Sequence, residues 1–158
     1  PDRMAQVQWD AEGGHVVIHA PRARGIIGYI KRATPVDLGG LTIRSDNIYG
    51  AILVVSLDGQ PIDKSRRLLV QAMTEDRPYG FDTSEGRITD LGGAPFNVRK
   101  INARITLPGQ DLRRALALDP HGYPRTDADH MPDVMISERS DEVSIMLDGE
   151  SIYHIIER

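Results

Sequence analysis

The chain has 158 residues, with 19 Lys and Arg against 23 Asp and Glu, for a formal net charge of −4. That balance argues against a nucleic-acid partner, which needs a basic surface, although folding can still assemble a local basic patch from the scattered arginines. Cysteine is absent, which excludes disulfides, thiolate nucleophiles and Cys-ligated zinc, and no apolar run approaches the roughly 20 residues of a spanning helix.

The dominant hydrophobic period is two, which predicts strands. Val7-Gln8-Trp9, the turn signal Asp10 to Gly14, and His15 to His19 read as a hairpin. Gly25 to Ile30 follows as a strand. In Leu41-Thr42-Ile43-Arg44-Ser45 the odd-numbered residues share a face. Tyr49 to Leu57 is nearly continuous apolar sequence, the pattern of a strand buried on both sides, and Asp58-Gly59 ends it with a hairpin signal. Lys64 to Met73 also fits a helical stripe, but its place after the Asp-Gly turn favours a strand. Asn97 to Leu107 alternates, with Ile101, Ala103, Ile105 and Leu107 facing inward. Leu112 to Leu118 is a strand or a short helix. Val134 to Ile136, Val143 to Leu147 and Ile152 to Ile156 close the chain, with Asp148-Gly149 turning the last pair. The sum is an all-β, antiparallel, jelly-roll-like sandwich of roughly ten to twelve short strands. Aromatics make up 5% of the chain, so its core must be aliphatic. One domain spans 1–158, and Pro1-Asp2-Arg3-Met4, with neither initiator methionine nor signal peptide, reads as the start of a piece excised from a longer protein.

Two stretches escape the pattern. Thr74 to Pro95 is rich in Gly, Asp, Thr and Pro, and Asp119 to Asp133 combines three prolines, two histidines and four aspartates. Structureless loops of that length tend to carry function. The second loop holds Asp119, Asp127, Asp129 and Asp133 beside His121 and His130. Calcium takes about six to eight oxygen ligands, yet no EF-hand spacing occurs, and a solvated acidic loop is the favoured reading of these residues. No metal or cofactor is expected. His15 and His19 share a strand face roughly 13 Å apart, too far to share a metal. No Gly-x-Ser-x-Gly elbow, phosphate-binding glycine loop or recognisable carboxylate pair is present, so no catalytic residue is assigned. Ser65 reads as a turn-folding residue.

Aromatic rings stack on sugar faces. Trp9, Tyr29, Tyr49 and Tyr153 fall in strands and read as packing residues. Tyr79, Phe81 and Tyr123 lie in the two polar loops, where an exposed ring needs a reason, and they are the candidate ligand-binding residues.

Pro21-Arg22-Ala23-Arg24-Gly25, Ser45-Asp46-Asn47 with Tyr49-Gly50-Ala51, and above all Val55-Ser56-Leu57-Asp58-Gly59-Gln60-Pro61-Ile62 together form one pattern. It runs on through Lys64 to Gln71 and Asp90 to Pro95. Over roughly residues 9 to 120 it resembles an all-β domain that follows the catalytic domain in large bacterial glycoside hydrolase-like proteins. The resemblance implies a sandwich packed beside a (β/α)₈ barrel, without catalytic residues of its own. It also implies an extracellular or periplasmic setting, and as partner either a polysaccharide or the neighbouring catalytic domain, while charge and hydropathy predict no nucleic acid and no membrane. A structural or interaction domain without glycan binding, and a small sandwich hydrolase whose carboxylates converge only on folding, are the alternatives.

Overall fold

The computed structural model describes residues 6–109, 112–125, 136–139 (backbone course alone) and 141–158. Over these the chain is all-β, an antiparallel sandwich of two sheets plus a projecting arm. The larger sheet is built from β1 (Val7–Asp10), β2 (His15–Ala20), β3 (Ala23–Gly28), β6 (Gly50–Ser56), β7 (Arg67–Met73), β13 (Arg114–Leu118) and β16 (Tyr153–Glu157), in the order β1-β2-β3-β6-β7-β16-β13. The smaller holds β4 (Val36–Asp37), β5 (Thr42–Ser45), β12 (Ala103–Pro108), β14 (Ile136–Arg139) and β15 (Glu142–Met146), in the order β14-β15-β12-β5-β4. The sheets thus have seven and five strands. The helical exception is a single 3₁₀ turn, Ile30–Arg32, and among the described residues no helix is long and apolar enough to cross a membrane.

Period-two patterning places the core. Ile26, Ile52, Val54, Leu68, Val70 and Ile156 of the larger sheet meet Ile43, Ala103, Ile105, Leu107, Val143 and Ile145 of the smaller in one cluster. Every fully buried member is Ile, Leu, Val or Ala, as the scarcity of aromatics requires. Leu41, Ile43 and Ser45 are buried together, and so are Ile101, Ala103, Ile105 and Leu107. Lys64 to Met73 and Leu112 to Leu118 resolve as strands β7 and β13. Gly25 sits where β3 crosses close to β6: a Cβ there would lie 2.3 Å from the Ile52 carbonyl oxygen, so no larger residue fits without moving a backbone.

Several expectations change. The run through Ala51 to Val55 is not enclosed on both sides, because Ile52 and Val54 enter the core while Ala51, Leu53 and Val55 stay partly exposed on the outer face. Asp58-Gly59 does not make a tight hairpin. β6 and β7 pair through a ten-residue connection, 57–66, folded around the Asp58 carboxylate. Asp148-Gly149 does not join a hairpin either, since β15 and β16 belong to different sheets and the turn carries the chain across the sandwich. The stretch Asn97 to Leu107 is divided between the arm and β12.

Thr74 to Pro95 is not a structureless loop. It folds as β8 (Asp76–Tyr79), β9 (Asp82–Ser84), β10 (Arg87–Asp90) and β11 (Gly93–Val98), with β8 pairing β11 and β9 pairing β10. The tip is Glu85-Gly86 with φ of 51° and 76°, the positive pair that a tight hairpin turn demands. At the arm's waist Gly92 brings its backbone against Tyr79, where a Cβ would lie 2.4 Å from the Tyr79 carbonyl oxygen.

Candidate functional site

The three candidate rings stand at one end of the sandwich. β7 and β13 flank β16 and run in the same direction, and Gln71 and Leu118 are both register partners of Tyr153. The arm that follows β7 and the turn that follows β13 therefore leave from the same edge. Tyr79 ends β8 opposite Gly93 and is 65% exposed. Phe81 is half-buried, with the Arg77 guanidinium 5.9 Å from its ring centroid, a cation–π contact that occupies one face. Tyr123 is 69% exposed, on a turn closed by Asp119. None of these rings touches another. Among the described residues the ring pair in contact is Tyr29 with Tyr49, edge to face at 5.6 Å. Trp9, expected to pack, is 78% exposed at the edge of the larger sheet.

The polar groups do structural work. Asp119 accepts hydrogen bonds from the backbone N–H groups of His121 and Tyr123, both at 2.9 Å, which is turn chemistry. Asp127, Asp129, His130 and Asp133 lie outside the described residues, and among those described no group of three or more His, Asp or Glu is placed to hold a metal. Asp58 accepts from the N–H of Arg66 and Gln60 and from the hydroxyls of Ser56 and Ser65. Its carboxyl is held far below the usual carboxylate range, chiefly by the Arg66 N–H and then by the two serines, against an opposing desolvation. The Ser-Leu-Asp-Gly string is thus a folding device, and Ser65 serves its turn as expected. Arg24, buried on the inner face, clamps Asp63 with two bonds of 2.7 and 3.0 Å and donates to the Gly39 carbonyl at 2.9 Å. This pairing lowers the Asp63 pKa, the Arg24 hydrogen bond being the main cause.

His154 also faces the core. Its Nε2 accepts the Asp148 backbone N–H at 3.0 Å, while Nδ1 is buried without a partner. Burial pushes its pKa down to about 4, with the Asp148 carboxylate acting in the opposite sense. Arg125 closes this corner by donating to Asp148 at 3.0 Å.

A further organised surface is the outer face of the seven-stranded sheet. Directly paired residues share a face, so the register reads it row by row. One row runs Trp9, Val16, Ile27, Ala51, Met73. The next runs Val7, Ile18, Gly25, Leu53, Gln71, Tyr153, Leu118, with the Gln71 amide as its one strongly polar group. A third runs Ala20, Ala23, Val55, Leu69, Ile155, Leu116. Charge begins only at the rim, where Arg67, Glu157 and Arg114 align and Arg67 pairs with Glu157 at 3.5 Å. At the β16–β13 corner Leu116, Leu118 and Ile155 form a second small buried cluster, but from β1 to β7 the rows lie open or half-open. An antiparallel sheet with one face on the core ordinarily turns polar residues outward. This one does not. Sequence reading missed the face, although its signal is present in the unbroken apolar run Ala51 to Val55. Comparison of the chain with protein-family models, curated proteins and solved structures finds no match to any of them.

Proposed function

We propose that this is a non-catalytic accessory domain that braces an adjoining folded domain of the same polypeptide through the outer face of its seven-stranded sheet. The apolar rows from Trp9 to Met73 and from Val55 to Leu69, rimmed by charge, carry the reading. The resemblance to the all-β domain that follows the catalytic barrel in bacterial glycoside hydrolase-like proteins points to the same kind of partner.

Area favours an in-chain partner over a second copy. Five strands at about 4.8 Å spacing and three rows of side chains span on the order of 500 Å². Buried from both sides, this gives about 1,000 Å², inside the range of about 600–1,500 Å² for contacts between domains of one chain. A stable dimer typically buries about 1,600 Å². An apolar centre with a polar rim is the anatomy of a contact surface.

The test is sedimentation of this chain, alone and mixed with the separately produced domain encoded beside it. The chain alone is expected to sediment as a monomer, and the mixture as a one-to-one complex. Leu53→Lys with Leu69→Lys is expected to abolish the complex while the chain remains folded. A dimer lost in the same variant would assign the face to self-association, and a complex that survives the variant would place the contact elsewhere. Glycan binding by Tyr79 and Tyr123, both open to solvent, is the second reading and has its own test below.

A further inference from the structure

Where the arm leaves the sandwich, its two paired strands have unlike faces. Directly paired residues share a face. At the root, Glu75 with Arg99 and Arg77 with Asn97 therefore lie on one side, and Asp76 with Val98 and Pro78 with Phe96 on the other. The first side is closed on itself: Glu75 pairs with Arg99 at 3.0 Å, and the Arg77 guanidinium covers the Phe81 ring. The second side carries exposed Val98 and Phe96 with half-buried Pro78, and its one charge is Asp76. Asp76 and Val98 line a cavity of about 560 Å³ between the arm and the end of the sandwich. Met73 and Ile152 continue its apolar lining, with Ala72 and Ile101, both buried, behind them. Met73 is also the last member of the outer-face row that begins at Trp9, and the Gln71 amide donates to its sulfur at 3.5 Å on that face. The cavity is thus continuous with the apolar surface.

The other polar side chains around the cavity are already engaged. The Thr74 hydroxyl donates to the Arg99 carbonyl, the Lys100 ammonium pairs with Glu150, and the Ser151 hydroxyl donates to the Leu118 carbonyl at 2.6 Å. Arg99 is neutralised by Glu75 and Lys100 by Glu150. Asp76 is different: among the described residues its carboxylate has neither a hydrogen bond nor an ion pair.

An apolar cavity with one open carboxylate on its wall complements a long side chain that is apolar along its stem and cationic at its tip. We infer that the arm is a clamp that holds an arginine or lysine side chain of the adjoining domain, its methylenes against Met73, Val98 and Ile152 and its charge at Asp76. This rests on the bracing role proposed above and adds the chemistry of the partner: a basic residue projects from the adjoining domain at the arm's end of the apolar face. An acidic group there would oppose Asp76, and a wholly apolar one would bury its carboxylate unpaired, which is costly.

Two measurements test it. In the first, butylguanidinium, an arginine side chain without its backbone, is titrated into this chain while methyl NMR signals are followed. Met73, Val98 and Ile152 are expected to shift together and to saturate in the millimolar range, as befits so small a ligand, with the core methyls of Ile43 and Ile105 unmoved. Asp76→Asn is expected to weaken this binding about threefold, the size of a half-exposed ion pair. In the second, this chain is sedimented with the separately produced adjoining domain. Asp76→Lys, which places like charge against the basic residue, is expected to weaken the one-to-one complex at least about tenfold. Both variants should melt within a few degrees of the parent, since the Asp76 side chain is exposed and holds no other group. No shift at Met73, Val98 and Ile152, or equal affinity for butylguanidinium in Asp76→Asn, would overturn the clamp. A complex that forms equally well with Asp76→Lys would overturn the clamp alone and leave the outer face as the docking surface. No complex between the unaltered partners would overturn the bracing role, and the clamp with it.

Discussion

Val54 and Leu53 are neighbours in β6 with opposite fates, and replacing each in turn with Asp measures the difference between the two faces of the sheet. Val54 is fully buried, between Arg24 of β3 and Val70 of β7. Losing its side chain from the core forfeits about 1.5–3 kcal/mol. The new carboxylate must also either stay charged in the core, where the neighbouring Arg24 guanidinium is already committed to Asp63 and the Gly39 carbonyl, or take up a proton. Full burial raises such a pKa by up to about 3–5 units, at about 1.4 kcal/mol per unit. Val54→Asp should therefore lose on the order of 5 kcal/mol at pH 7, a large part of the roughly 5–15 kcal/mol a domain possesses. At about 2–4 °C per kcal/mol for a chain of this size, melting falls by about 10–20 °C. Leu53 is partly exposed on the outer face, so Leu53→Asp should cost about 1 kcal/mol, the centre of the distribution for point substitutions. Thermal melting followed by circular dichroism separates the two. The gap should narrow towards pH 4: a raised folded-state pKa means that the folded variant binds more protons, so its stability falls as pH rises through that window. Equal losses for the two variants would refute the assignment of faces, because Leu53 would then be core.

Other outcomes follow from the polar network and the rings. His154 has its folded pKa pushed down to about 4, below the unfolded value of about 6.5. The unfolded chain then binds more protons between those limits, so stability should drop on the order of 3 kcal/mol as pH falls from about 6.5 to 4. His154→Gln should flatten that dependence, and an unchanged slope would show the histidine to be accessible. Asp58→Ala should lower the melting temperature by freeing the Arg66 N–H and the hydroxyls of Ser56 and Ser65, and melting unchanged across neutral pH would show the hub to be dispensable. Melting in excess chelator should match melting without it, because a metal bound only to the native state would add stability by mass action. A fall of several degrees would point to a site including Asp127, Asp129 and His130. Replacing Tyr79, Phe81 and Tyr123 with Ala should leave melting within a few degrees while abolishing retention by any neutral glycan that retards the parent chain. Retention that persists would remove these rings from any binding role.

Much of the fold was legible because period-two alternation responds directly to a core on one side. Leu41, Ile43 and Ser45, and Ile101 through Leu107, sit where their spacing puts them. The arm was not legible. Pro78, Gly80, Gly92 and Gly93 break its strands into pieces of three to six residues, and its side chains face solvent on both sides, so no alternation survives to be read. Asp58-Gly59 and Asp148-Gly149 misled for one reason: an Asp-Gly pair specifies a reversal of the chain but not the sheet into which the chain returns. The approach of Arg66, Arg113 and Arg158 was invisible because they become neighbours only through the order β7-β16-β13. Ala51 to Val55 is the instructive case. Its apolar run indicates that both faces seek cover, and folding of this chain covers one.

Hydroxyl-radical footprinting of the outer face addresses that uncovered side most directly, comparing this chain alone with the longer polypeptide that the proposed bracing role requires. In the isolated chain Trp9, Leu53 and Leu69 should label, while Ile52 and Leu68, both fully buried, should not. In the longer polypeptide the first three should become protected, with the core pair unlabelled as before. Labelling of Trp9, Leu53 and Leu69 at the same rate in both would contradict the bracing role.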